Sequence, residues 1–153
     1  MVENVTNKVE PFDLRDFLPY LLTMAAEQSS LAFQQVYKSR YGMLRTEWRV
    51  LFHLGRYGAM TAKAIRDRSG IHKTKVSRAV AALNARGYVR RETQDHDRRF
   101  ETLTLNPAGQ RVFDDLVAAA ARHNTALMHQ LSEDETAVLT ACLRRLAHLP
   151  DAG

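Results

Sequence analysis

The chain has 153 residues and a net charge of +5, with 25% charged residues, a size that suits one ordinary domain or a small module continuous with a second helical layer. No uncharged apolar run approaches the roughly 18 residues that a membrane-spanning helix needs, and the N-terminal MVENVTNKVEPFDLRDF carries acidic residues and no apolar signal core, so a cytoplasmic protein is expected. A single cysteine, Cys142, excludes an internal disulfide and agrees with a reducing compartment.

Residues 1–12 read as an N-terminal arm without a clear period, finishing near Pro11. From Asp13 the apolar positions Leu14, Phe17, Leu18, Leu21, Met24, Ala25, Leu31 and Ala32 follow a helical spacing. They predict one long helix to about Tyr41, with Pro19 as a candidate kink and Gly42 as the stop. So long a helix needs a partner for its stripe, and a second chain would serve. Thr46 is the expected N-cap of a second helix, in which Trp48, Leu51 and Leu54 share one face and Gly58 ends the segment. Thr61 then caps a short helix, AKAIRDRS, and Gly70 supplies the tight turn before Ile71.

The helix after that turn is amphipathic. With Val76 at zero on a helical wheel, Ala79, Val80 and Leu83 fall within about 60° of it, which makes a buried stripe. Thr74 and Arg78 face directly outward, flanked by Lys75 and Ser77, with Lys73 on the shoulder. Asn84, Arg86 and Gly87 end the helix, and YVRRET and FETLTL read as two strands around the loop QDHDRR. Asn106 followed by Pro107 starts a helix expected to reach about Leu131. SEDE, from Ser132 to Glu135, is a capping box for a last helix with Val138, Leu139, Cys142, Leu143, Leu146 and Leu149 on one stripe.

Charge is concentrated in the middle of this order. Residues 61–100 hold eleven Lys and Arg against four Asp and Glu, a local charge of +7, so the total of +5 leaves −2 for the rest. A short helix, a Gly turn, a longer helix and a basic strand-loop-strand describe a helix-turn-helix with a β-wing, a device for gripping duplex DNA. The fold class read from the sequence is therefore mainly α with a small β-wing (α+β). Lys73, Thr74, Lys75, Ser77 and Arg78 are the candidate major-groove contacts, since Arg takes guanine bidentately and Thr or Ser reaches base edges or phosphates. In the wing loop, Arg98 or Arg99, with His96 beside them, would enter a narrow minor groove.

These elements in this order resemble the MarR family of winged-helix transcriptional regulators over roughly residues 13–149. The most specific match is DRRFETLTLNPAG, where Asp97, Arg98, Arg99, Leu105 and Gly109 fit the family pattern. Asn106 replaces the usual Thr, while Asp95 and Gln94 stand where Pro and Asp are common. A second match is KTKVSRAVAALNARGYVRR, with Val76, Arg78, Leu83, Gly87 and Arg91 in the family's places. The resemblance implies an N-terminal dimerisation helix over 13–45, a DNA-binding domain over 46–105 and C-terminal dimerisation helices over 106–149. It further implies a homodimer on a pseudo-palindromic double-stranded operator, repression, and release by a small-molecule effector or an oxidant. Asp97 and Arg91 take the role of wing support.

Catalysis has little to build on, because His96 and Asp97 are adjacent in a basic loop without a nucleophile or pocket. No metal or cofactor site is expected, since His123 and His129 do not share a helix face. The family's redox branch has its reactive Cys near the N-terminus. Here Cys142 lies on the last apolar stripe, where core is the expected reading. A ligand is thus the favoured signal, and by family analogy Phe17, Tyr20, Trp48, Phe52 and His53 would line its pocket, with Arg15 or Arg49 for an anionic group such as an aromatic acid. The competing reading is that Trp48 and Phe52 are plain core. Two alternative functions fit the same basic face: a winged-helix module that binds an acidic protein, and a constitutive DNA binder without an effector.

Overall fold

A computed structural model describes residues 11–93 and 101–150. The chain divides into two compact units, residues 1–31 and 32–153, with helix α1 (Leu18–Tyr41) running from one into the other. In the first unit Asp13 caps a single 3-10 turn, Leu14–Asp16, by accepting the Arg15 backbone N–H at 2.9 Å, and its carboxylate pairs with the Arg15 guanidinium at 2.7 Å. The helix expected from Asp13 is interrupted there, because Phe17 is extended and α1 begins only at Leu18. Pro19 therefore falls in the first turn of α1, where its missing N–H has no intrahelical acceptor to lose, and it does not kink the helix. Phe12, Leu14, Phe17, Leu18, Leu21, Met24 and Leu31 are all exposed.

In the second unit the C-terminal turns of α1 bury Phe33 and Tyr37. They are followed by α2 (Arg45–Tyr57), β1 (Met60–Thr61), α3 (Ala62–Ser69), α4 (Lys73–Ala85), β2 (Val89–Thr93), β3 (Glu101–Leu105), α5 (Pro107–Met128) and α6 (Glu133–Leu146). Thr46 is not the cap of α2. Leu44 holds that position without a side-chain cap bond, and its backbone N–H is taken by the Glu47 carboxylate at 2.8 Å, the returning half of a capping box. Met43, Val50, Leu51, Ile65, Val76, Leu83, Leu103 and Leu116 are fully buried in one core, each side chain gaining roughly 1.5–3 kcal/mol from burial.

The sheet is antiparallel in the order β1-β3-β2, with Met60 opposite Leu103 and Val89 opposite Leu105. Strand β1 is absent from the sequence reading because two residues carry no period. Helix α5 is seated on the root of β2. Asn106 accepts the Gly109 N–H at 3.0 Å while donating its own backbone N–H to the Tyr88 carbonyl at 3.1 Å. The chains run so close here that a Cβ on Gly109 would lie 2.0 Å from the Tyr88 oxygen.

Helix α5 ends at Met128, short of the expected Leu131, because the next N–H groups turn back with 3-10 bonds from Gln130 to Leu127 and from Leu131 to Met128. The Ser132 and Glu135 capping box forms as expected, at 3.0 and 3.1 Å. No residue of α6 is buried: Val138, Leu139, Leu143 and Leu146 are exposed, and Cys142, expected in the core, is exposed with them.

A polar brace ties the end of α1 to α5. The Tyr41 hydroxyl donates to Asp115 Oδ2 at 2.6 Å, and the Arg40 guanidinium reaches both Asp115 oxygens at 3.1 Å. The Tyr41 hydrogen bond, aided by Arg40, holds the Asp115 carboxyl below its usual range. Burial, then the hydrogen bond and charge of Asp115, push the Tyr41 phenol up to about 12.

Two outcomes follow from this packing. Gly109→Ala is expected to cost about 2–3 kcal/mol through overpacking against a backbone carbonyl, seen as a lower urea midpoint at fixed protein concentration; an unchanged midpoint would mean α5 is not seated on Tyr88. For Tyr41, a folded pKa raised above the unfolded value of about 10 contributes stability in full below that value and loses it as pH rises towards about 12. The gap in melting temperature between the parent and Tyr41→Phe should accordingly close across that alkaline window.

Candidate nucleic-acid interface

The helix-turn-helix is assembled by caps and one left-handed turn. Thr61 Oγ1 accepts the Ala64 N–H at 3.1 Å and starts α3. Gly70, at φ +69°, reverses the chain without a Cβ penalty, and Ile71 drives into the core just after it. His72 caps α4, its Nδ1 accepting the Thr74 N–H at 3.3 Å. Helix α4 then packs on α2 and α3. Its buried residues are Val76, Ala79, Val80 and Leu83, the stripe expected from the spacing, so Lys73, Thr74, Lys75, Ser77 and Arg78 all lie on the exposed side.

Most cations around this helix already have an internal task. Arg49 donates to the Ser69 carbonyl at 2.8 Å and caps the C-terminus of α3. The Arg68 guanidinium lies 3.9 Å over the Tyr57 ring. Lys63 pairs with Asp67 at 2.6 Å, Arg90 with Glu92 at 2.9 Å, and Arg91 with Glu101 of the neighbouring strand at 3.8 Å. No ion pair joins Lys73, Lys75 or Arg78 to another described residue. The outward face of α4 thus carries three positive charges with no internal counter-charge among the described residues, a surface that favours a polyanion.

Strand β2 leaves the core after Val89, its next four residues being exposed, and so projects as a wing. The Arg91 to Glu101 pair crosses from β2 to β3. Residues 94–100, which include His96, Asp97, Arg98 and Arg99, lie outside the described residues.

Two residues absent from the sequence reading of the site stand behind α4. Arg86, its C-cap, donates to the carbonyl of Tyr41 and, at 2.9 Å, to that of Gly42, at the end of α1. The same guanidinium faces the carboxylate of buried Glu47 at 3.9 Å. The signal was present in the spacing: Glu47 shares a helical face with Val50, Leu51 and Leu54, and an acid on an apolar face calls for a cation.

The candidate pocket residues divide between the units. Trp48 and Phe52 are half-buried in an aromatic cluster: Trp48 lies 5.0 Å from Phe33, 6.3 Å from Tyr37 and 5.4 Å from Phe52, and Phe52 lies 6.0 Å from Phe113. Ring packing at these separations contributes to the core whatever else it does. His53 Nδ1 is 2.6 Å from the Arg49 carbonyl, while Phe17 and Tyr20 belong to the first unit. Both candidate anion-binding arginines are engaged, Arg15 with Asp13 and Arg49 with Ser69. Among the described residues no cluster of His, Cys, Asp or Glu could hold a metal, and no helix is long and apolar enough to cross a membrane.

A helix-turn-helix followed by a projecting antiparallel wing defines a winged-helix DNA-binding protein. The MarR family model matches residues 41–99, the segment from the end of α1 into the wing. A curated relative, the uncharacterized HTH-type transcriptional regulator YwaE of Bacillus subtilis (strain 168), is 24% identical over 126 residues, covering 82% of this chain and 74% of that protein. Among solved structures, a MarR family transcriptional regulator from Silicibacter pomeroyi DSS-3 aligns with a TM-score of 0.78 at 29% identity, over 90% of this chain and 98% of the other. BpsR of Bordetella bronchiseptica, whose DNA binding is regulated by 6-hydroxynicotinic acid, aligns with a TM-score of 0.81 at 22% identity, over 94% of this chain and 99% of its own. Residues 41–99 thus match the MarR family, and over nine-tenths of its length the chain is similar to a transcriptional regulator of that family.

Proposed function

We propose that this protein acts as a homodimeric repressor, reading a pseudo-palindromic operator with one α4 in each of two major-groove half-sites. The observation that carries the reading is the outward face of α4, where Lys73, Lys75 and Arg78 lack a counter-charge among the described residues and Thr74 and Ser77 supply hydroxyls beside them. In this reading Arg78 contacts a base edge, the lysines contact phosphates, and Arg98 or Arg99, with His96, enters the minor groove at the wing, steadied by Asp97 and Arg91. A second copy of the chain is the partner, supported by the exposed apolar residues of α1 and α6, with Leu18, Leu21 and Met24 on one and Val138, Leu139 and Leu143 on the other. Dimerisation would assign residues 13–45 and 106–149 to the interface and residues 46–105 to DNA, placing the two reading helices about 34 Å apart for adjacent grooves.

An aromatic acid is the proposed effector. The half-buried Trp48 and Phe52 within the aromatic cluster support this, as does the regulation of BpsR by such an acid. His53 completes the proposed lining in the second unit, and Phe17 and Tyr20 are kept as separate candidates in the first.

The test starts by enriching preferred duplexes from a random pool and measuring affinity by fluorescence anisotropy across a salt series. The parent should enrich a palindrome and show a steep fall in affinity with salt. Arg78→Ala should lose about 10- to 100-fold at one base position per half-site. Failure to enrich any duplex would overturn the reading, and unchanged affinity with 6-hydroxynicotinic acid and a panel of benzoic acids would overturn the effector part.

A further inference from the structure

Arg86 joins the C-terminal end of α4 to the corner between α1 and α2. Its guanidinium donates to the carbonyls of Tyr41, the last residue of α1, and of Gly42 just beyond it, and lies 3.9 Å from the Glu47 carboxylate. Glu47 is 6% exposed and its other task is to accept the Leu44 N–H at 2.8 Å. The same end of α4 is pinned to the wing root, where Asn84 Nδ2 donates to the Val89 carbonyl at 3.0 Å and the Tyr88 N–H to the Leu83 carbonyl at 3.0 Å. The outward residues proposed to read DNA lie at the opposite, N-terminal end of the helix.

This arrangement makes α4 a lever with its pivot at Arg86. From Arg86 back to Thr74 is about 18 Å along the axis at 1.5 Å per residue, so a tilt of roughly 5° at the pivot moves Thr74 by about 1.5 Å. A base-edge hydrogen bond tolerates only a few tenths of an ångström. Phosphate attraction, which falls off slowly with distance, tolerates far more. Loosening the pivot would therefore erode sequence discrimination before it erodes general DNA affinity.

Resting on the DNA reading proposed above, we infer that Arg86 is a positioning residue for sequence recognition. It fixes the angle of α4 by clamping the end of α1 and the buried Glu47, and it makes no phosphate contact of its own. Its side chain is only 33% exposed and its fork is turned inward, towards two carbonyls and a carboxylate. Lysine cannot replace it, because a single ammonium lacks the planar fork that spans these acceptors.

The experiment compares the parent, Arg86→Lys and Glu47→Gln on the enriched duplex and on a random duplex, across a salt series and at matched folded fraction by circular dichroism. Both variants should bind the enriched duplex about tenfold more weakly or worse, with random-duplex affinity and salt slope unchanged. Arg86→Lys and Glu47→Gln combined should lose no more than the worse of the two. An equal loss on both duplexes with a slope lower by about one ion would make Arg86 a phosphate contact and overturn the inference. An unchanged preference in both variants would overturn it as well. Where Arg86→Lys does not fold, Glu47→Gln alone decides between these outcomes. A parent that prefers no duplex defeats the DNA reading itself, a result distinguishable because it needs no variant.

Discussion

The seating of α4 on α2 is the contact on which the remainder of the second unit depends. Val76, Ala79, Val80 and Leu83 meet the apolar face of α2, where Val50, Leu51 and Leu54 lie. Their spacing of three, four and seven residues commits one side of α4 to the core. What remains on the other side is dictated by that commitment: Thr74 and Arg78 cannot turn inward without dragging the stripe into water. The exposed face proposed to read DNA and the buried stripe are thus set by one rotation angle. Ala79, the small residue in the stripe, is buried together with Leu83.

Arginine serves this protein in two physically distinct ways. Arg49 and Arg86 spend their guanidinium groups on carbonyls at the C-terminal ends of α3 and α1, where the helix dipole favours a cation and orphan acceptors wait. Arg78, by contrast, has no such partner among the described residues and lies on an exposed face. Net charge alone does not separate these roles. Of the cations behind the +7 counted over residues 61–100, Arg68 and Arg86 hold helices to one another and Lys63, Arg90 and Arg91 are paired with carboxylates, so the electrostatic footprint is narrower than the composition suggests.

Elements with a period were legible in the sequence, and elements made by contact were not. The stripe of α4, the Gly70 turn, the Asn106 cap and the Ser132 capping box are local, each requiring only neighbours in the chain. Strand β1 exists because Met60 meets Leu103, more than forty residues away. The Leu44 cap exists because Glu47 folds back on it, so the polar Thr46 was a false cue. Arg86 read as a mere helix end, since its partners on α1 and α2 come near only after α4 is seated. The candidate site follows the same division: the face of α4 was readable, whereas the engagement of Arg15 and Arg49 was not.

Helix α6 sharpens the case for a second copy from energetics. A 14-residue helix is marginal in water on its own, even with a good capping box, because helix nucleation is costly and propagation gains little per residue. Stability must come from burying an apolar face, yet none of its residues is buried within the chain. Exposed Val138, Leu139, Leu143 and Leu146 are the face that a second copy would bury in the proposed dimer. Helix α5 leads from α6 back to the Tyr88 carbonyl at the wing root and is braced to the end of α1 through Asp115. The end of α1 is in turn held by Arg86. A displacement of α5 or of the last turns of α1 therefore meets the reading head at two fixed points, the wing root and the C-terminus of α4. Under the proposed function, these two points are where an effector acting on α5 or the end of α1 would reach α4.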